Sequence, residues 1–560
     1  AIGCSCRLKL GEGRRKCKHG AASAGGPLPT TCRILYTIGF MALLRSVATV
    51  GGYTMMSRVL GFVRDMLTAQ FLGAGPVADA FFVALRLPNL FRSFFAEGAF
   101  SAAFVPIFAG MIANEGRQPA RLFAEDAMAV LTTVLFAFVL ACEIATPALL
   151  HVLAPGFAAE PEKFALTVTL TRITFPYLLF ISLVALQGGV LNSLERFAAT
   201  AATPVLLNLF LIGTLLLVRP VSGTALSWAV TAAGFAQFVW LMMSCGQAGL
   251  ALRFPRPRWT PALEHLVGLM GPGIFGAGVT QLNLVVSTAV ASLLPTGAVS
   301  YLYYADRLNQ LPLAVVGIAV GTAILPPLSR QVRTGDEAGA VQTQNRGLEL
   351  ALLLTVPAAV ALGVLARPIL VALFERGAFG PVEVTATAGA LTAYAAGLPA
   401  FVLVKVLAPA FFARHDTATP VKIAMVAVAA NLVLTLTLGV ALPFAYVGIA
   451  CATSAAGWIN ALALLWLLHR RAHFRLDTRS RSRIPRILAA SLLMGVVLVA
   501  LEILLAPYIG AHLVARLAAL VALIAAGLAA FAIFALVLGA ADRNELGQRL
   551  GLDLAARRRR

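Results

Sequence analysis

The chain alternates long apolar stretches with short polar segments from about residue 41 almost to its end. Each stretch holds about 20 predominantly apolar residues, which is the length that an α-helix needs to cross a bilayer. The pattern predicts an all-α polytopic membrane protein with fourteen transmembrane helices. They centre near residues 55, 93, 138, 178, 208, 235, 280, 313, 358, 398, 430, 456, 497 and 525.

Composition supports the assignment to the membrane proteins and limits the kinds of partner that the chain is expected to bind. The chain is 59% hydrophobic and only 12% charged, whereas soluble proteins carry about 25% charged residues. A formal charge of +20 would suggest nucleic acid in a soluble protein, but the basic residues here lie mainly in short loops. We therefore expect membrane lipid as a partner and no nucleic acid. The seven cysteines lack a zinc-type spacing, so we predict no metal, cofactor or disulfide.

The loops alternate in charge. One set is rich in arginine and includes the segment 469–486 and the terminal residues 557–560. The opposite set has little more than Lys163, Arg219 and Arg376. By the positive-inside rule, the basic loops and both termini are predicted to be cytoplasmic, which agrees with an even number of spans.

The sequence repeats itself at a spacing of roughly 220 residues, as transporters often do. Ala-Thr-Pro-Val at 202–205 recurs at 418–421, and Thr-Ala-Ala-Gly at 231–234 resembles Ser-Ala-Ala-Gly at 454–457. With six spans per copy, the two copies share one orientation. We expect two six-helix lobes in a parallel pseudo-repeat around a central cationic cavity, plus two C-terminal helices.

Five segments follow from this organisation. Residues 1–40 form an N-terminal extension unlike the rest of the chain. We expect an N-lobe with helices 1–6 at 41–250 and a C-lobe with helices 7–12 at 262–470. Helices 13–14 follow at 485–540, and a basic cytoplasmic tail at 541–560.

Charged residues inside the apolar segments are the candidate functional groups, because an ionised side chain at membrane depth normally faces a partner or a wet cavity. Guanidinium groups suit phosphate, since their planar fork gives two parallel hydrogen bonds. The candidate substrate-binding residues are Arg58, Arg64, Arg92 and Arg307, and the candidate supporting or gating charges are Asp65, Asp79, Glu97, Asp306 and Lys405. Structural ion pairing or snorkelling is the alternative, above all for the Arg64–Asp65 pair and for Arg86. We interpret this arrangement of helices and charges as that of a transporter, and a membrane-embedded enzyme is the alternative interpretation.

Several long charged motifs resemble the MurJ (MviN) family of lipid II flippases, in the multidrug/oligosaccharidyl-lipid/polysaccharide exporter superfamily. The similarity runs from residue 41 to near residue 543. The motifs are SRVLGFVRD (57–65), DAFFVALRLPNLFRSFFAEGAFSAAFVPIF (79–108), APGF (154–157), TFPYLLFISL (174–183), YYADRLNQLP (303–312) and KVLAPAFFAR (405–414).

The resemblance implies a transporter rather than an enzyme. It would move lipid II, a polyprenyl-pyrophosphate-linked disaccharide pentapeptide, from the cytoplasmic to the periplasmic leaflet of the bacterial inner membrane by alternating access. That activity belongs to cell-wall biosynthesis and suggests a link to the cell-wall synthesis machinery. The resemblance also implies that helices 13 and 14 form a groove for the lipid tail. By motif, the family's important charges fall on Arg58, Arg64, Asp79, Arg92, Glu97 and Arg307.

The chain departs from the family pattern in two helices. Segments 265–294 and 420–439 contain no acid, whereas some relatives bind sodium through acids there, so we expect no sodium site. Two alternatives stay open: a flippase for another polyprenyl-linked oligosaccharide, and a cation-coupled drug antiporter. An antiporter needs acids in its cavity, and the arginine excess argues against it.

Overall fold

The computed structural model describes residues 30–95, 99–442, 444–510 and 512–540. The predicted N-terminal extension lies largely outside this range, as do the C-terminal tail and Glu97. The described residues contain eighteen α-helices and no β-strand. The first nine are α1 (Thr30–Leu72), α2 (Pro76–Phe95), α3 (Ala99–Asn114), α4 (Arg117–Ile144), α5 (Thr146–Leu153), α6 (Pro161–Thr174), α7 (Tyr177–Ser193), α8 (Phe197–Leu217) and α9 (Gly223–Gln247).

The other nine α-helices lie in the second half of the chain. They are α10 (Pro261–Ser292), α11 (Ala298–Arg333), α12 (Glu337–Val364), α13 (Ala366–Leu373), α14 (Pro381–Phe412), α15 (Ala418–Leu436), α16 (Ala445–Arg470), α17 (Thr478–Ile509) and α18 (Leu513–Val537). A five-residue π-helix, Thr437–Ala441, extends α15, and a 3-10 helix, Pro155–Ala159, lies between α5 and α6.

Local sequence explains where these helices begin. Proline opens α6, α10 and α14, a position where its missing N–H costs nothing because the first turn has no intrahelical acceptor. Ser222 caps α9 by accepting a hydrogen bond from the Ala225 amide at 3.2 Å. Asp477 caps α17 in the same way, through the Ser480 amide at 2.7 Å.

Ten helical segments of the described residues are long and apolar enough to cross a membrane. The all-α, multi-span membrane class is thus confirmed. The ten segments lie within the described residues and do not include α1, α2, α10 or α11. The predicted total of fourteen spans stays a prediction.

Three large clusters of buried apolar side chains organise the bundle. The first joins both halves of the chain, and we call it the shared core; it contains Phe81, Leu150, Tyr304 and Phe374. A second cluster, which includes Phe104, draws only on residues of α3 to α10 and their loops. A third draws only on residues from α11 onward. The shared core therefore holds the two halves together at one end of the helices. At the other end lie the two further clusters, one mainly of the first half with Leu263 and Leu266 of α10 added, and one of the second half.

Candidate anion-binding cavity

A cavity of about 740 Å³ opens between the two halves of the chain. Its walls come mainly from α1, α2 and α8 of the first half and from α10 and α11 of the second. Five arginines line it: Arg58, Arg64, Arg86, Arg92 and Arg307. Among the described lining residues Asp65 is the one acid. The cavity therefore carries a large excess of positive charge.

Helical periodicity explains how one cavity collects so many arginines. On α1 the lining residues recur every three or four positions, as in Thr54, Ser57, Arg58 and Gly61, which is the spacing of one helix face. Arg64 is six residues from Arg58, and its long side chain still reaches the same space. On α2 and α11 the lining residues show the same spacing: Phe82, Leu85, Arg86, Asn89, Leu90 and Arg92, and Tyr303, Arg307, Gln310, Leu311 and Ala314.

Asp65 links the arginines of the two halves. Its Oδ1 accepts hydrogen bonds from Arg64 Nε at 3.0 Å and Nη2 at 2.7 Å. Its Oδ2 lies 3.6 Å from Arg307 Nε, and this contact joins α1 to α11. Side chains of Arg64 and Asp65 are 16% and 6% exposed, but that of Arg307 is 40% exposed. Arg307 thus keeps much of its guanidinium open to the cavity.

Two neutral residues hold these charges in place, and neither was predicted from the sequence. Asn208 of α8 accepts from Arg64 Nη1 at 3.1 Å and donates to the Ser57 carbonyl at 2.9 Å. Tyr303 donates to Asp65 at 3.3 Å, stacks on Phe82 with ring centroids 3.9 Å apart, and presents its ring 4.9 Å from the Arg307 guanidinium carbon. A cation over an aromatic face is attracted to it. The signal in the sequence is that Asn208 is a polar residue within an apolar helix, since such a residue often forms a hydrogen bond to a neighbouring helix.

Asp79 lies outside the cavity, in a buried latch between the halves. Its carboxylate accepts from the Gly297 amide at 2.8 Å, the Ser300 amide at 3.0 Å and the Ser300 hydroxyl at 2.6 Å. The ammonium of Lys163 lies 3.2 Å from the same carboxylate, and both side chains are at most 3% exposed. The sequence pattern predicts Lys163 to be a loop charge, and the structure buries it in this contact instead. We call Asp79, Lys163, Gly297 and Ser300 the latch.

Gly297 is required in the latch by its backbone. Its φ of +99° favours glycine, and a Cβ there would lie 2.7 Å from the Ala74 carbonyl oxygen. Lys163 is held further by Thr296, which accepts at 3.1 Å, and by the Phe157 ring at 4.2 Å. Every charge and donor in this buried contact has a partner, so the latch fastens α2 to the start of α11.

The other predicted charges are dispersed. Asp306 accepts from Gln310 at 2.5 Å and lies in the field of Arg307 and Arg86. Lys405 of α14 is exposed and lies beside Gly317 of α11. Glu97 is outside the described residues. The structure therefore brings Arg58, Arg64, Arg92, Arg307 and Asp65 together, adds Arg86, and places Asp79 elsewhere. The roles assigned to these residues stay predictions.

The chemistry of the cavity favours an anion. Several guanidinium groups in a water-accessible hollow can share the charge of a phosphate group and offer it bidentate hydrogen bonds. Within the described part of the chain, no three His, Cys, Asp or Glu side chains group closely enough to hold a metal ion.

Comparison with known proteins identifies close relatives. The family profile described as "Lipid II flippase MurJ" matches residues 68–519. A probable lipid II flippase MurJ of Rhizobium meliloti (strain 1021) is 47% identical over 465 residues, covering 82% of this chain and 86% of its own. The protein named lipid II flippase MurJ in Burkholderia cenocepacia is 39% identical over 392 residues, covering 69% and 76%.

Solved structures show the same fold. A lipid II flippase MurJ in an inward closed conformation aligns with a TM-score of 0.71 at 24% identity, covering 87% of this chain and 97% of its own. An inward-facing multidrug resistance MATE family transporter of the MOP superfamily aligns with a TM-score of 0.65 at 12% identity, covering 76% and 98%.

Proposed function

The chain belongs to the MurJ family of lipid II flippases, as its motifs indicated, and we propose that it carries lipid II between the leaflets of a bacterial inner membrane by alternating access. It is a multi-span membrane transporter, not an enzyme. The observation that carries the proposal is the cavity, whose described lining residues include five arginines and one acid. The cargo is a polyprenyl-pyrophosphate-linked disaccharide pentapeptide, delivered from the cytoplasmic to the periplasmic leaflet for cell-wall biosynthesis.

Arg58, Arg64, Arg92 and Arg307 would bind the pyrophosphate, and Arg86 joins them because it lines the same hollow. Asp65 supports the site by holding Arg64 and Arg307, and Asp306 does so near Arg86. The lipid tail stays in the bilayer, and α17 and α18, which pack against each other, would form its groove.

Two six-helix lobes, 41–250 and 262–470, would rock about the shared core, with helices 13 and 14 appended to give fourteen spans. Two further cores lie at the opposite end, one mainly from the first lobe and one from the second, and they support this division. The basic loops lie at that same end, and by the positive-inside rule it would face the cytoplasm together with both termini. The latch would then close the periplasmic side, with Asp79 as a gating charge.

The test is flipping of lipid II by the purified chain in lipid vesicles. Arg58→Ala and Arg307→Ala are expected to lower the flipping rate at least tenfold, because each removes a charge-assisted contact worth about 1.5–3 kcal/mol. The matched control is Arg330→Ala, an exposed arginine in the last turn of α11. Wild-type rates in both cavity variants would refute the site, and no flipping by the unaltered chain would refute the function.

The same vesicles separate the alternatives. Faster transport of another polyprenyl-linked oligosaccharide would change the cargo, and exchange of a cationic drug would require a different account of the cavity. The link to cell-wall synthesis machinery is part of the proposal and predicts co-purification of peptidoglycan polymerising enzymes after mild solubilisation.

A further inference from the structure

Lys405 is an ionisable residue of α14, a helix that is long and apolar enough to span the membrane, and it lies seven residues before the last helical residue, Phe412. It is exposed, while its neighbour Val406 is fully buried. Within the described residues, its ammonium group has no hydrogen-bond acceptor and no carboxylate within ion-pairing distance. A charge at membrane depth is costly unless it faces water, a partner or a ligand, and none of the described residues supplies such a group to this ammonium.

The side chain of Lys405 lies across α11. A Cβ on Gly317 would be 2.9 Å from Lys405 Cδ and 3.2 Å from its Nζ, so the glycine makes room for the lysine. A Cβ on Gly321, one turn further, would lie 3.3 Å from the backbone carbonyl oxygen of Lys405. The two glycines thus form a groove in which Lys405 crosses the helix.

This groove continues the wall of the arginine cavity. Arg307, Gln310, Leu311 and Ala314 of α11 line the cavity, and positions 317 and 321 follow at the same helical spacing. Gly317 is ten residues beyond Arg307, which corresponds to about 15 Å along the helix axis. In the proposed orientation, Lys405 lies on the cytoplasmic side of the arginines.

That separation decides which part of the cargo reaches Lys405. A pyrophosphate is only a few ångströms long and cannot contact both Arg307 and Lys405. The sugars of a disaccharide pentapeptide bear hydroxyl and amide groups, whereas its peptide ends in carboxylate. Resting on the proposed function, we propose that Lys405 binds a carboxylate of the stem peptide while the arginines hold the pyrophosphate. The cargo is then gripped at two points, and the second distinguishes a peptide-bearing headgroup from a bare lipid pyrophosphate.

The experiment compares two cargoes on the full chain in vesicles: lipid II with free peptide carboxylates, and lipid II with those carboxylates converted to amides. Lys405→Ala is expected to lower kcat/KM for the carboxylate cargo about fivefold to tenfold, the effect of one partly desolvated ion pair. For the amidated cargo, the same substitution is expected to change the value less than twofold. Lys405→Arg should restore most of the loss, and Lys422→Ala, which removes an exposed lysine from α15, is the control.

The amidated cargo also tests the contact without altering the protein, so the proposal does not depend on the variant's folding. The unaltered chain should transport it about as poorly as Lys405→Ala transports the carboxylate cargo. Equal losses for both cargoes in Lys405→Ala, or no loss for either, would overturn the inference, as would wild-type transport of the amide. Absence of lipid II flipping by the unaltered chain would instead refute the proposed function.

Discussion

Removing the charge of Asp79 should open the latch. Asp79→Asn keeps the shape of the side chain but replaces one carboxylate oxygen by an NH2 group, which cannot accept a hydrogen bond. The carboxylate now accepts from two amides, one hydroxyl and the ammonium of Lys163. At least one donor therefore loses its acceptor, and Lys163 is left buried without a counter-charge.

The size of the effect follows from burial. Both members of the ion pair are at most 3% exposed, and removing one partner of a buried pair costs about 3–5 kcal/mol. An opening equilibrium shifted by 3 kcal/mol changes by roughly a hundredfold. If the latch closes one side of the transporter, this shift is sufficient to change which conformation predominates.

Hydrogen exchange measures the opening directly, because the Gly297 and Ser300 amides donate to Asp79. In Asp79→Asn, these amides are expected to exchange roughly a hundred times faster than in the unaltered chain. Glu162→Gln, an exposed neighbour of Lys163, is the control and should leave their protection unchanged.

A double variant tests the reasoning itself. Lys163→Met removes the ammonium and keeps a flexible stem over the Phe157 ring, so Asp79→Asn with Lys163→Met contains no unpaired charge. We expect the double variant to regain most of the lost protection. Losses that multiply, so that the double variant exchanges faster than either single variant, would refute the claim that the buried pair closes the latch.

Three further outcomes are expected. Asn208→Ala removes an acceptor of Arg64 and should lower lipid II flipping about threefold to tenfold in vesicles; an unchanged rate would contradict its positioning role. Gly297→Ala should lower the thermal unfolding midpoint, measured in detergent, because φ is +99° and the space is occupied; an equal midpoint would contradict the strain. Hydrogen bonds from the Thr419 side chain, then from Arg471, lower the pKa of Asp416 to about 2. This stabilisation is present above the unfolded pKa of about 4 and is lost as the pH falls toward 2, so Asp416→Asn should flatten the stability curve between those values.

The sequence was sufficient to predict the helical membrane class and the charges that meet in the cavity. Arginines in apolar helices are rare enough that their cost alone marks them as candidates. Arg58, Arg64, Arg92 and Arg307 do line one cavity. Helical spacing within α1 was less informative, because long side chains six residues apart still reach a common space.

Contacts between distant segments could not be predicted in the same way. From the sequence alone, snorkelling is an alternative for Arg86, and only the placement of α2 against α11 brings it to the cavity. Lys163 lies in the first turn of α6, a position typical of exposed loop charges, yet its partner Asp79 is 84 residues away. Periodicity identifies which face of a helix a residue occupies, but the neighbour of that face depends on the packing of the whole bundle.

The central claim is that the cavity arginines hold the pyrophosphate of the cargo, and binding tests it most directly. The measurement is the dissociation constant of polyprenyl pyrophosphate, compared with polyprenyl monophosphate, for the purified unaltered chain and for Arg307→Ala. We predict that the unaltered chain binds the pyrophosphate more tightly and that Arg307→Ala loses at least tenfold in affinity for it, with a smaller loss for the monophosphate. Equal affinities for the two lipids, unchanged in Arg307→Ala, would contradict the account.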